Sequence, residues 1–203
     1  MTTMQENHSN SNNIKKIFEL VLNSATTAMK HTLKSTDADL ATRDLTPNED
    51  LSYDHWVCCI VVAFKGFAVT FSVHFGSKMA RHLASVSVGK ASQELNPQFC
   101  HDFMREYCNV TAGLIKEKLR QCNFEVADSA KVMLPVQEPS FDIVKLDDQS
   151  GSWLSNWILS YMGQSSLICS AKVQVENPAV LVNLEKLDNP AILIDDRGDV
   201  DFF

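Results

Sequence analysis

Hydrophobic residues recur along this chain with two distinct periods. From Asn12 or Asn13, Ile14, Ile17, Phe18, Val21, Ala25 and Met29 return at spacings of three and four, which predicts an amphipathic helix to about Leu33. Residues 35–52 are polar, carry Pro47, and read as a loop with a short helical turn. The period then changes to two. Trp56, Cys58, Ile60, Val62 and Phe64 alternate up to Lys65-Gly66, and Phe67, Val69, Phe71, Val73 and Phe75 alternate after it. That is a β-hairpin with one apolar face. On its other face, with Ala68, Thr70 and Ser72, His74 reads as a cross-strand partner. Gly76-Ser77 opens a helix through Met79, Leu83 and Val86 to Gly89. Asn96-Pro97 opens a longer one to about residue 122, with Asn123 as the residue that ends it. Short extended pieces follow at 124–126 and 131–135. Trp153, Trp157, Ile158 and Tyr161 suggest another helix, with the tryptophans as core or dimer-interface anchors. Alternation from Ser166 to Val175 predicts a late strand, and residues 179–187 a short helix.

These elements amount to an α+β fold in which an antiparallel-rich sheet packs against long helices. The chain of 203 residues, 45% hydrophobic and 21% charged, suits one sizeable core. The expected organisation is a disordered lead-in at 1–12, a domain at 13–177 and an extension at 178–203.

Composition narrows the chemistry. A net charge of -7 and a pI near 5.3, with no basic stripe, argue against nucleic acid as a partner. The polar N-terminus lacks a signal-peptide pattern, and no apolar run reaches the roughly 18 residues of a membrane span, so a cytoplasmic protein is expected. The six cysteines include no C-x-x-C pair and read as buried free thiols. The six histidines are dispersed, and no metal site is expected. Asn109-Val-Thr111 has the form of a glycosylation sequon, which a cytoplasmic protein would not use.

The 97–122 helix carries the most chemistry. At 100° per residue, Asp102, Glu106, Asn109 and Gly113 fall within a sector of about 60°, opposite two apolar rows. Asn and Gly in mid-helix each cost roughly 0.5–1 kcal/mol relative to Ala. A Glu and an Asn at i and i+3 reach one external target together, although such a pair is also ordinary on a solvated face. A carboxamide is no general base. It can donate and accept hydrogen bonds at once, and so hold a water in line with a labile phosphoryl group, as Gln does in GTPases. A neighbouring Glu suits docking against a lysine.

The order of hairpin, capped helix and second helix with Asp102-x-x-x-Glu106-x-x-Asn109 resembles the CheC/CheX/FliY chemotaxis phosphatases. Their motif is Asp or Ser, three residues, Glu, two residues, Asn, and a later proline. Here that proline is Pro135, with 25 intervening residues, a longer interval than the family's. The resemblance covers about residues 14–177 and implies a CheC-like/CheX-like fold. It also implies hydrolysis of the phospho-aspartate of a CheY-like receiver domain. Glu106 would pair with the receiver's lysine and Asn109 would orient the attacking water. Asp102 would give orientation or electrostatic support, and Gly113 matches a small residue of the family. No cofactor would be bound by this chain, since the Mg²⁺ belongs to the receiver. Glu19 and Asn23 in the first helix resemble a second motif with one residue too many between them, so the chain resembles the single-motif CheX type, whose members form homodimers by joining sheets. A non-catalytic module that docks a receiver is the alternative.

Overall fold

The structure, a computed structural model, describes residues 2–45, 56–127, 135–139, 151–163, 165–181 and 184. Helix α1 (Thr2–Leu33) leads into a 3-10 turn and strand β1 (Leu40–Asp44). Strands β2 (Trp56–Phe64) and β3 (Phe67–Phe75) form the hairpin. Helices α2 (Ser77–Val88) and α3 (Pro97–Gln121) follow, then β4 (Val136–Pro139), β5 (Ser152–Tyr161) and β6 (Ser165–Val175). The six strands form one antiparallel sheet in the order β1-β5-β6-β3-β2-β4.

One face of the sheet is the core. Cys58, Ile60 and Val62 of β2, Val69, Phe71 and Val73 of β3, Trp157 and Leu159 of β5, and Cys169 and Ala171 of β6 are all buried there. Helix α1 lies over β5 and β6, α3 over β2 and β3, and α2 packs against α3. The residues of the predicted first helix fit this arrangement, with Ile14, Ile17, Val21, Ala25 and Met29 all buried. At about 25 cal/mol per Å² of apolar surface removed from water, each of these side chains larger than alanine contributes on the order of 1.5–3 kcal/mol. The opposite face is mixed. His74 stands in register between Val57 and Ile168, and at 4% exposure it is buried, so this row is less polar than alternation alone implied.

Three expectations need correction. Helix α1 begins at Thr2, so residues expected as a disordered lead-in are helical. The segment 2–33 contains neither proline nor glycine to stop the helix. Residues 40–44, read as loop, form the edge strand β1, paired with β5 through Leu40 opposite Tyr161 to Asp44 opposite Trp157. The segment holding Trp153, Trp157, Ile158 and Tyr161 is strand β5, not a helix. The spacings of four, one and three imitate a helix, but the pairing with β6 puts Trp157 and Leu159 on the core face and Ile158 on the other.

Other expectations hold at residue level. The hairpin spans 56–75 as predicted. Asn123 ends α3 in the left-handed region at φ 64°, and Gly89 does the same for α2 at φ 65°. Beyond Pro178, a 3-10 turn brings Leu181 into the hydrophobic core, and Leu184 joins it too. The hydrophobic core therefore takes in side chains beyond Pro178. The piece at 131–134 and everything from residue 185 onward lie outside the described residues.

Candidate functional site

Helix α3 is anchored before it presents anything. The Asn96 side chain accepts a hydrogen bond from the Gln98 backbone N–H at 2.8 Å, and Pro97 occupies the first helical position. Arg81 of α2 donates to the Ser92 and Leu95 carbonyls at 3.4 and 3.3 Å, tying down the connection just before this cap. Along its inner side Phe103, Met104, Tyr107, Cys108, Ile115 and Leu119 are buried. The Tyr107 ring meets Phe71 edge-on at 5.8 Å, its hydroxyl lies 3.9 Å from the Cys169 thiol, and the Cys108 thiol donates to the Cys58 carbonyl of β2. Thr111, buried among them, spends its hydroxyl on the Tyr107 carbonyl at 2.8 Å. The helix cannot roll without breaking these contacts.

With the inner face fixed, the outer stripe is fixed too. Asp102, Glu106 and Gly113 are exposed and Asn109 is half-buried. The Asn109 Nδ2 donates to the Glu106 Oε2 at 3.3 Å, so the pair expected from spacing is joined in the structure. That bond uses one amide N–H. A carboxamide has a second N–H and an acceptor oxygen with which to meet an external group.

Asp102 stands apart from this pair. Its Oδ1 accepts from the Arg105 guanidinium at 2.7 Å and from the Gln98 Nε2 at 2.9 Å. Arg105 and Gln98 escaped the sequence reading, although their i+3 and i−4 positions relative to Asp102 are the signal that finds such partners. Gly113 is open: a Cβ built there would meet nothing within 4 Å. The glycine is therefore not required by the packing of the chain itself. Glu19 and Asn23 are both exposed on α1, where Glu19 faces Lys15 at 3.9 Å.

A second cluster beside the stripe also went unforeseen. His101 packs edge-on against Trp56 at 4.5 Å, lies 6.2 Å from Phe75, and contacts the Gln137 side chain through its Nδ1. Partial burial, and after it the positive charge of Arg105, hold its pKa below the ordinary value, with Asp102 opposing. The cluster ties α3 to β4, directly after the buried Pro135.

The thiols offer no nucleophile. None of the six cysteines is in a disulfide, and five are buried, with Cys59 half-buried. Burial pushes Cys59, Cys100 and Cys108 up and Cys169 to about 12, which keeps them protonated and unreactive at neutral pH. Among the described residues no group of three or more His, Cys, Asp or Glu could hold a metal ion, and no helix is long and apolar enough to cross a membrane.

A six-strand antiparallel sheet packed with three helices is the CheC-like fold. Solved structures share it. A CheC-like superfamily protein from Shewanella sp. PV-4 is 12% identical, with a TM-score of 0.58 over 78% of this chain and 97% of that one. Chemotaxis protein CheX from Vibrio vulnificus is 14% identical, with a TM-score of 0.58 over 78% and 96%. The CheX–CheY–BeF3–Mg²⁺ complex from Borrelia burgdorferi gives 13% identity and 0.55 over 77% and 97%. No curated protein matches at the sequence level. Within the chain, residues 57–135 match the family Chemotaxis phosphatase CheX. The matched segment runs from β2 through the whole stripe to Pro135, and it bears out the family resemblance read from the motif.

Proposed function

We propose that this chain hydrolyses the phospho-aspartate of a CheY-like receiver domain. The observation that supports it is the Glu106–Asn109 pair, held at 3.3 Å on the outer face of a helix whose inner face is locked into the core. In this reading Glu106 meets the receiver's lysine and swings away from Asn109 as it does so. The carboxamide is then free to hold a water in line with the phosphorus. Water attacks, the receiver's aspartate leaves as a carboxylate, and the proton of the water goes to the phosphate released. Mg²⁺ bound by the receiver would neutralise the phosphoryl oxygens. Asp102, engaged with Arg105 and Gln98, shapes the helix surface without touching the reacting atoms.

Positioning of this kind is worth on the order of 10²-fold or more in rate. The test is phosphate release from a phosphorylated receiver with wild type, Asn109→Ala and Glu106→Ala. Loss of turnover in the first and a raised KM in the second support the proposal. A second reading, a receiver-binding module without catalysis, is favoured by one observation: Asn109 is half-buried and already spends an N–H on Glu106. Wild type no faster than the receiver alone would select it. Homodimerisation by joining sheets would use an edge strand, β1 or β4, and sedimentation reads it directly. A cytoplasmic location accompanies the proposed substrate.

A further inference from the structure

Four large hydrophobic side chains are exposed among the described residues: Val88, Phe99, Val136 and Met162. Val88 ends α2, Val136 lies on the edge strand β4, and Met162 sits in the β5–β6 turn. Phe99 alone is on the stripe. It precedes Glu106 by seven residues, and Glu106 precedes Gly113 by seven. Positions seven apart on a helix drift by only about 20°, so the three form one nearly straight row. Every member of that row is exposed, with Phe99 at 41%.

The row has a definite relief: an aromatic knob, a carboxylate two turns on, and a glycine notch two turns further, where a Cβ would touch nothing. Phe99 stands about 10 Å along the helix from Glu106, the middle of the row, at 1.5 Å per residue. A standard interface buries about 800 Å² per partner, a patch roughly 16 Å in radius, so a receiver centred on Glu106 would cover Phe99 inside its margin. A single exposed aromatic is unremarkable elsewhere on a surface, but aromatics in the core of an interface are where binding energy concentrates.

The geometry points to Phe99 as the apolar anchor of the receiver-docking surface, seated against apolar side chains of the receiver. This rests on the receiver-phosphatase reading above and adds a residue that sets affinity rather than turnover. The acidic stripe residue Glu106 is specific for a cation but strongly hydrated. Burying the phenyl ring supplies affinity that survives salt, whereas the lysine pair weakens with it.

The experiment titrates a CheY-like receiver loaded with beryllofluoride and Mg²⁺ into wild type, Phe99→Ala, Phe99→Leu, Glu106→Ala and Asn109→Ala, at low and high salt, with phosphate release measured in parallel. Phe99→Ala should weaken binding about tenfold at both salt concentrations, with the kinetic loss in KM rather than kcat, and Phe99→Leu should recover most of it. Binding of Phe99→Ala equal to wild type, while Glu106→Ala still binds poorly, overturns the anchor and leaves the phosphatase reading standing. Full turnover in Asn109→Ala overturns that reading instead. If Phe99→Ala dissociates a homodimer and leaves receiver affinity intact, Phe99 belongs to a self-association surface and the inference is wrong.

Discussion

Replacing Gly113 with alanine separates what the helix needs from what its partner needs. Gly113 lies inside the 25-residue helix α3 with helical backbone, and the added Cβ meets nothing within 4 Å. The folded chain therefore offers no steric objection. Alanine also removes the excess backbone freedom that glycine has in the unfolded state, so the substitution should stabilise by about 0.5–1 kcal/mol. For a chain of this size that is a rise in Tm of about 1–4 °C. The same methyl group would stand in the notch of the proposed docking row. If a receiver's backbone comes within contact distance there, Gly113→Ala should raise KM about fivefold and Gly113→Leu further, corresponding to about 1 kcal/mol or more for the smaller change. The assay pairs thermal melting with phosphate release. A Tm that falls by several degrees in Gly113→Ala would contradict the open surface found at this position. A raised Tm with KM unaltered even in Gly113→Leu would refute the role given to the notch.

Two further outcomes follow from the packing and the electrostatics. His101 has its pKa held below the ordinary 6.5, so between those two values the unfolded chain binds more protons than the folded one. Stability should accordingly fall as pH drops below about 6.5, and His101→Gln should flatten that slope in urea titrations followed between pH 5 and 8; an unchanged slope would remove His101 from the account. Trp157 is 1% exposed and lies 6.3 Å from Phe71, so Trp157→Ala should cost about 3–5 kcal/mol in equilibrium unfolding. A cost below about 1 kcal/mol would contradict its place in the core.

The parts of this fold that bury a regular stripe were legible in the sequence. The hairpin at 56–75 and the two helices after it alternate or recur cleanly because each has one face on the core. Strand β1 gave no such signal. Its residues Ala41 to Asp44 are exposed, Leu40 alone packs against the core, and backbone pairing with β5 places them in the sheet. Strand β5 misled for the opposite reason, since Trp157, Ile158 and Leu159 are buried in succession and two-sided burial erases alternation. At the site, helical spacing was enough to put Glu106 and Asn109 side by side. It could not show that the Asp102 carboxylate turns to Arg105 and Gln98, a choice among several neighbours that only the folded surface makes. The His101 contacts with Trp56 and Gln137 join residues far apart in the chain and had no local signal at all.

Whether the Asn109 carboxamide positions the attacking water, as proposed, is read from single-turnover phosphate release with this chain at saturation over the receiver. An excess of this chain removes affinity from the comparison, so only the chemical step is read. Wild type should accelerate dephosphorylation of its receiver, and Asn109→Ala should lose about 10²-fold or more of that acceleration while still binding the beryllofluoride-loaded receiver. Asn109→Ala releasing phosphate at the wild-type rate would contradict it.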